Sequence, residues 1–231
     1  MTRKSASMVL AAAAVLSLGK MGMGETSGFS RTLAKARSAM LKPALALQAR
    51  MKGRPEIAPP PNFGAVAKGI YRGSRPKTAG NFDYLKNLGV STVIDLEYFH
   101  EDSPTLCRRY NLNCVREPLL LFPLDDAFFD WKTFRAAFSL VLSEHARGRA
   151  VYFHCKDGSD RTGALAAALM IRNAVCGVPS NAAQNGRAQD ALWARVDRTL
   201  SQYGFHKVFF VLHEKIKSWV YDPSNKRWLC Q

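Results

Sequence analysis

The chain has 231 residues, 47% of them hydrophobic, so it is long enough and apolar enough to bury one sizeable core. Lys and Arg outnumber Asp and Glu by 33 to 18, yet residues 1–54 hold ten of the basic side chains and only one acid, Glu25. The rest of the chain is therefore only moderately basic, which favours an anionic substrate. Basic and aromatic residues do not interleave as a stacking surface would require, so nucleic acid is not expected as a partner.

The first residues have the layout of a secretory signal. Arg3 and Lys4 precede an apolar stretch over 8–18 and a group of small residues. That stretch is too short to span a bilayer. We expect residues 1–24 to be a signal peptide and the protein to be exported from a bacterium, to the periplasm or outside. An uncleaved membrane anchor and a cytosolic amphipathic tail are the alternatives.

A basic, Pro-rich extension follows over residues 25–62. Small apolar and basic residues alternate over 29–54, a pattern compatible with an amphipathic helix in peripheral contact with a membrane, and equally with a solvated tether. Residues 59–61 are three prolines, which make a stiff linker. The sequence thus predicts a folded domain over 63–222 and a C-terminal tail over 223–231.

Helix and strand patterns alternate within that domain. The predicted strands cover residues 66–71, 91–96, 113–117 and 150–154. The predicted helices cover 78–87, 130–146, 162–175, 181–200 and 206–219. Thr78 is the expected N-cap of the first helix and Gly89 its end. Such alternation predicts an α/β fold with a largely parallel central sheet, and the almost wholly apolar helix over 162–175 is expected at its centre.

The five cysteines are Cys107, Cys114, Cys155, Cys176 and Cys230. An odd number leaves at least one thiol unpaired in an exported protein. Cys107 and Cys114 could form a disulfide, but core packing explains them equally well. A nucleophilic thiol would have to be the unpaired one.

The segment from His154 to Gly163 carries the strongest chemical signal. Cys155 directly follows the predicted buried strand, Arg161 comes six residues later just before the predicted buried helix, and Gly158 allows the loop between them to curve tightly. Such a loop turns backbone N–H groups inward at the positive end of the helix dipole, which binds phosphate and stabilises a thiolate. The planar fork of Arg161 suits two phosphoryl oxygens. The predicted substrate-binding residues are Lys156, Asp157, Gly158, Ser159, Asp160 and Arg161.

This segment resembles the His-Cys-x5-Arg-Ser/Thr signature of the protein tyrosine and dual-specificity phosphatase superfamily. Residues 70–76, 89–102 and 203–206 are similar to further segments of its small bacterial dual-specificity-like branch, so the likeness covers about residues 64–219. The resemblance implies the cysteine-dependent phosphatase fold, a largely parallel sheet of four to five strands flanked by helices.

The same resemblance implies a metal-independent phosphomonoester hydrolase that needs no cofactor and forms a phosphocysteine intermediate on Cys155. Its substrate would be phosphotyrosine or another phosphoprotein, or else an inositol polyphosphate. Lys156 would suit such a polyanion, whereas Asp157 and Asp160 would repel it. The chain is expected to be a monomer. The alternative is a regulatory module that uses the loop only to bind phosphate.

The family needs an acid that protonates the leaving oxygen, usually an Asp on the loop before the signature strand. Asp125, which closely follows Pro123, is favoured narrowly over Asp126, although both could instead complement the dipole of the next helix. Asp160 is the third candidate for the acid. Its other possible role is to orient Arg161.

Several neighbouring residues have two possible roles. Thr162 is expected to hydrogen-bond the sulfur of Cys155, or else to cap the following helix. His154 is expected to be a structural partner of the loop. Three further residues are expected either to line the mouth of the pocket or to pack elsewhere: Arg72, His100 and His206.

Overall fold

The computed structural model describes residues 56–121, 129–177 and 186–231, which lie within one unit, Pro55–Gln231. The strands are β1 (Gly64–Ala67), β2 (Ile70–Ser74), β3 (Val90–Glu97), β4 (Asn113–Leu119) and β5 (Ala150–Cys155). The helices are α1 (Ala79–Asn87), α2 (Pro104–Arg109), α3 (Trp131–Ala146), α4 (Asp160–Val175), α5 (Gly186–Gln202), α6 (Phe210–Tyr221) and α7 (Lys226–Leu229). Short 3-10 turns, Lys207–Phe209 and Pro223–Asn225, precede α6 and α7.

The five strands form one sheet in the order β1-β2-β5-β3-β4. β1 pairs antiparallel with β2 at one edge, and the other neighbouring strands are parallel. The predicted α/β class, with a largely parallel sheet flanked by helices, is therefore confirmed. Parallel strands end at the same edge of a sheet, so the segments that follow β2, β3, β4 and β5 meet there, with β5 in the middle.

The prediction of a single strand over 66–71 is wrong. Two strands, β1 and β2, run antiparallel there and are joined by a turn at Lys68 and Gly69, with Ala67 opposite Ile70. Gly69 has a φ of +75°, in the left-handed region that glycine reaches without strain. The residues on both sides of the turn have the same strand-like character, which hides the reversal.

Helices α1 and α4 follow the sequence expectations. Thr78 is the N-cap of α1, and its hydroxyl accepts a 3.2 Å hydrogen bond from the backbone N–H of Asn81. Gly89 follows the helix with a φ of +85°. α4 is central as expected, because nearly all of its side chains over residues 162–171 are buried.

Side chains of β5 alternate between the two faces of the sheet. Val151, Phe153 and Cys155 belong to the larger apolar cluster, which includes residues of α3, α4 and α6. Tyr152 belongs to the smaller cluster with residues of α1, and its ring stacks on that of His154. The alternation therefore places Cys155 on the α4 side of the sheet and His154 on the opposite side.

Residues 223–231, predicted as a tail, pack into the domain instead. Leu229 in α7 is fully buried, and Trp228 packs against the larger cluster. A disulfide joins Cys230 to Cys176, directly after α4. The apolar residues of this segment bury surface against α3 and α6, which offsets the cost of ordering the chain end.

The sequence leaves open whether Cys107 and Cys114 form a disulfide or only pack in the core, and the structure answers this question. Cys107 in α2 forms a disulfide with Cys114 in β4. Cys155 is the free cysteine and is buried.

The last long helix begins later than predicted, and the predicted start of the long helix before it lies outside the described residues. α5 starts at Gly186, with residues 181–185 outside the described residues, and α6 starts at Phe210 after the 3-10 turn. Across the described ranges, every helix is too short or too polar to cross a membrane.

Candidate active site

The segment with the strongest chemical signal lies at the edge of the sheet where the parallel strands end. β5 ends at Cys155, whose side chain is buried, and α4 begins at Asp160. The loop of residues 156–159 connects them, and together with Arg161 it forms what we call the phosphate cup. Ser159 is the N-cap of α4 but makes no side-chain capping hydrogen bond, so the N–H groups of the first helical turn are available to an anion.

The backbone of the cup has the orientation that an anion site requires. The carbonyl oxygens of residues 156–158 accept, in that order, hydrogen bonds from the backbone N–H of Arg75 at 3.4 Å, from the hydroxyl of Ser74 at 2.8 Å and from the guanidinium of Arg72. Because the C=O and N–H of a peptide unit point in opposite directions, the N–H groups of residues 157–159 face into the cup. β2 thus imposes the loop conformation.

Gly158 is required where the loop approaches β2. Its φ is +72°, and a Cβ atom there would lie 2.5 Å from the carbonyl carbon of Gly73 and 2.7 Å from the backbone nitrogen of Ser74. Both are backbone atoms that cannot move aside. The sequence expectation of a tightly curved backbone at this glycine is therefore explained by the close contact between the loop and β2.

Arg72 has a packing role rather than a place at the mouth of the pocket. It is 1% exposed, and its guanidinium lies over the ring of Tyr203, 4.1 Å from the centroid. Burial lowers the pKa of Arg72 from its ordinary value to about 10, although electrostatic interaction with Tyr203, Cys155 and Tyr152 raises it, so the side chain stays protonated at neutral pH. A permanent cation therefore lies beneath the loop, within electrostatic range of Cys155.

Arg161 reaches across the ends of two neighbouring strands. Its Nη1 lies 3.4 Å from the carbonyl oxygens of Leu96 in β3 and Leu119 in β4. These contacts orient the guanidinium along the sheet edge next to the cup, as a phosphate-binding arginine requires.

Thr162 does not make the bond expected of it. Its side chain is fully buried, and its hydroxyl has no hydrogen-bond partner among the described residues. It neither bonds the sulfur of Cys155 nor caps α4 in this structure.

Of the three candidate acids, the structure describes one. Asp125 and Asp126 lie outside the described residues. Asp160 accepts a 2.8 Å hydrogen bond from the backbone N–H of His206, and its other oxygen lies 2.8 Å from Nδ1 of the same histidine. His206 thus binds Asp160, whose carboxylate links α4 to the segment between α5 and α6.

A buried histidine and two carboxylates lie behind Cys155. His154 is fully buried, its Nε2 lies 2.9 Å from Asp102, and its Nδ1 lies 3.8 Å from Asp95. Burial alone would lower the pKa of His154, but the hydrogen bond and charge of Asp102 outweigh it and raise that pKa. Burial raises the pKa of Asp95. The sequence predicts a structural partner of the loop, but among the described residues the His154 side chain bonds Asp102 and faces Asp95 instead.

The same three residues are the described group able to supply three metal ligands, because their ligand atoms lie within 4.8 Å of one another. The His154 ring nitrogens, however, face different carboxylates, and one of them already bonds Asp102. The arrangement suits a histidine ring held between two carboxylates better than convergence on one ion.

Other predicted residues occupy the rim. Lys156 and Asp157 have exposed side chains on the loop itself. His100 contributes its backbone, because its carbonyl oxygen accepts a 3.0 Å hydrogen bond from Nε of Arg116. Its imidazole has no assigned contact with the cup.

A central parallel strand, an amide-lined loop and a buried helix in this order make the architecture of the cysteine-dependent phosphatases. The family model of the tyrosine phosphatase family matches residues 57–173, half of the chain. The chain belongs to that family.

Individual relatives agree with this assignment. The inositol diphosphatase DSP3 of Arabidopsis thaliana is 30% identical over 122 residues, which make up 49% of this chain and 55% of that protein. The chain thus spans about half the length of this curated relative. A structure of the core catalytic domain of the PP-IP phosphatase SIW14 from S. cerevisiae, in complex with citrate, matches with a TM-score of 0.52 at 18% identity, over 74% of this chain and 93% of that one. A structure of the Siw14 catalytic core matches with a TM-score of 0.53 at 18% identity, over 75% of this chain and 93% of that one.

Proposed function

We propose that the protein hydrolyses phosphate monoesters through a phosphocysteine intermediate on Cys155, without a metal ion. The observation that carries the proposal is the loop, whose carbonyl oxygens at residues 156–158 all bond outward to β2 and its following residue, so that its amides face the cup. The amides and Arg161 supply the positive charge that a transferring phosphoryl group needs. A metal ion is therefore not required for that task.

The reaction takes place in two displacements. The thiolate of Cys155 attacks phosphorus, the ester P–O bond breaks, and the departing oxygen takes a proton from an acid. Water then attacks the phosphocysteine and gives its proton to the conjugate base of that acid, the S–P bond breaks, and inorganic phosphate leaves with the thiolate and the acid restored. We infer that the buried Thr162 hydroxyl, which lies in the first turn of α4 and has no partner among the described residues, donates to the sulfur as it leaves.

Two substrate classes agree with the relatives. Family membership points to phosphoproteins, and similarity to the inositol diphosphatase DSP3 and the PP-IP phosphatase SIW14 points to inositol phosphates. Both classes present a monoester or a phosphoanhydride to the same cup. The choice between them depends on the rim of the site.

Two variants test the proposed reaction. Cys155→Ser should lower kcat by a factor of about 10³ or more while inorganic phosphate still binds, because the attacking group is lost and the cup remains. Arg161→Lys should be nearly as damaging, because an ammonium cannot reproduce the planar fork. Phosphate release from an aryl phosphate measures both. A Cys155→Ser protein that keeps more than about a hundredth of the wild-type kcat would contradict the proposal.

We assign the leaving-group acid to Asp125, with Asp126 and Asp160 as alternatives. The contacts of His206 with both oxygens of Asp160 argue against Asp160 as a freely available proton donor. Asp125→Asn should slow hydrolysis of an alkyl phosphate by about 10² to 10⁴ and that of nitrophenyl phosphate much less, because a good leaving group needs no proton. If instead Asp160→Asn alone shows this leaving-group dependence, the acid lies in the signature loop.

Export of the protein is supported by its cysteines. Two disulfides, Cys107–Cys114 and Cys176–Cys230, are typical of proteins that fold in an oxidising compartment, and the one free thiol is the proposed nucleophile. Together with the signal-like pattern of the first two dozen residues, they favour a periplasmic or secreted bacterial protein. N-terminal sequencing of the mature protein checks this, and an intact Met1 in a cytosolic fraction would refute it.

A further inference from the structure

Among the residues that the structure describes, Arg72 is a buried arginine without a carboxylate partner. The groups whose charges act on its guanidinium are Tyr203, Cys155 and Tyr152. Two of its nitrogens, Nε and Nη1, have no hydrogen-bond partner in the described part of the chain. Burial of an unpaired charge lowers the stability of a protein. The retention of this cation therefore calls for a reason other than stability.

The hydrogen bond of Arg72 places its charge directly beneath the phosphate cup. Nη2 donates to the carbonyl oxygen of Gly158. The same peptide group carries the N–H of Ser159, which points in the opposite direction, into the cup. An anion oxygen that accepts from this N–H is separated from the guanidinium by one peptide group and two hydrogen bonds, roughly 8 Å. The bond to the carbonyl also polarises the peptide, so its N–H donates more strongly.

Tyr203 and its neighbours fix the position of this charge. The guanidinium of Arg72 lies 4.1 Å from the centroid of the Tyr203 ring. That ring packs against the backbone of β1, because a Cβ atom at Gly64 would lie 1.9 Å from its hydroxyl oxygen. The carbonyl oxygen of Tyr203 accepts a 2.9 Å hydrogen bond from the side-chain amide of Asn62. The cation is thus held in one place relative to the cup.

Arg72 differs in this respect from two other cations beside the loop. Arg75 forms an ion pair with Glu97 at 2.7 Å, which neutralises its charge. Lys156 is exposed, so water and salt screen its charge. The charge of Arg72 is neither paired with a carboxylate nor open to water. Its field therefore acts on whatever anion the cup holds.

A fixed positive charge favours a bound anion in proportion to the charge of that anion. The amides of the cup recognise tetrahedral oxygens whether the ligand carries one negative charge or two. A buried cation, in contrast, distinguishes the two. With an effective dielectric constant of about 20, one unit of ligand charge at this distance changes the affinity about tenfold or more.

We propose that Arg72 is a positioning residue that holds the phosphate cup through Gly158 and, by its unpaired charge, makes the cup prefer doubly charged over singly charged tetrahedral anions. A phosphate monoester carries about two negative charges at neutral pH and fits this preference. The inference rests on the proposed phosphatase function and adds the residue that sets its charge preference.

The test compares two tetrahedral anions of similar size, tungstate with two negative charges and perrhenate with one. Calorimetric titration of the full chain at neutral pH measures the affinity for each. Arg72→Gln retains an amide donor for Gly158 but removes the charge. It should weaken perrhenate binding about tenfold and tungstate binding about a hundredfold, because the lost charge acts twice on a dianion. The preference for tungstate should therefore fall about tenfold.

Two further variants separate charge from packing. Arg72→Met also removes the donor to Gly158, so it should weaken both anions further by one common factor and show the same reduced preference as Arg72→Gln. Arg135 is the matched control. Its guanidinium also lies over an aromatic ring, 5.8 Å from the centroid of Trp228, but the side chain is exposed. Arg135→Met should bind both anions as the wild type does.

The possible failures are distinguishable. Equal losses on tungstate and perrhenate in both Arg72 variants would show that the residue only supports the loop. A wild type with the same affinity for the two anions would also overturn the proposal. Either result leaves the phosphatase function standing. A wild type that binds neither anion would contradict the cup itself and, with it, the proposed function.

Discussion

His154 shows how one buried residue links stability to pH. The hydrogen bond and charge of Asp102 outweigh burial and raise its pKa above the ordinary 6.5. A histidine with a raised folded pKa contributes stability that is fully present below about 6.5 and is lost as pH rises through the folded value. The raised pKa of Asp95 acts in the same direction, over a window that starts at its ordinary 3.8.

Asp102→Asn tests this coupling. The variant loses the carboxylate that raises the pKa of His154, so at about pH 6 its free energy of unfolding should be lower by about 3 kcal/mol. Between about pH 6 and pH 9 the wild type should lose more stability than the variant, because the variant has less of this contribution to lose.

Urea unfolding at the two pH values measures the difference. Asp197→Asn, which removes the partner of the more exposed His213, is the control and should leave the wild-type pH dependence unchanged. Parallel pH dependences in the wild type and Asp102→Asn would contradict the assignment.

Site residues could be predicted from the sequence where they lie close together along the chain, and could not where only the fold brings them into contact. Cys155 and Arg161 lie in one short segment whose spacing fixes their relation, so they could be predicted directly. Asp102 is 52 residues away from His154, and only the pairing of β3 with β5 brings them together. The sequence leaves open whether Arg72 lines the mouth of the pocket or packs elsewhere, because nothing in it shows that this side chain is buried beneath the loop.

At the scale of elements, helix α7 extends the domain beyond residue 222, where the sequence predicts its end. Trp228 contacts the aromatic rings of Phe134, Phe138 and Trp219, so α7 extends the core between α3 and α6. The disulfide between Cys176 and Cys230 closes a segment of 54 residues. A cross-link of this length restricts the unfolded chain strongly.

Removing that disulfide should therefore destabilise the protein substantially. The chain-entropy argument gives about 4 kcal/mol for Cys176→Ser with Cys230→Ser, against about 2.5 kcal/mol for the shorter Cys107–Cys114 link. Urea unfolding of the two double variants measures both losses, and the second serves as the comparison. A loss at Cys176 and Cys230 smaller than that at Cys107 and Cys114 would show that α7 packs independently of its link.

Elements were predictable where a local signal marks them. Thr78 and Gly89 bound α1 as the sequence indicates, and the apolar character of α4 indicates its central place. The reversal at Gly69 was missed, since one glycine within a strand-like pattern signals a turn only weakly. The packing of residues 223–231 was missed because their partners, such as Cys176, are remote in sequence.

At the scale of the whole molecule, the cup depends on three distant parts of the chain. The side-chain amide of Asn62 donates to the carbonyl oxygens of Asp157 at 3.1 Å and Tyr203 at 2.9 Å. It thereby joins the segment before β1, the loop after β5 and the end of α5. One side chain therefore ties the cup to two segments that are remote from it in sequence.

The central claim is that Cys155 carries the phosphoryl group, and the most direct measurement is to trap that intermediate. An aryl phosphate with a good leaving group makes the second step limiting, so the intermediate should accumulate in a rapid acid quench. Mass spectrometry of the digested protein should find phosphate on the peptide that contains Cys155 and none in Cys155→Ser. Phosphate on another side chain, or full turnover by Cys155→Ser, would contradict the account.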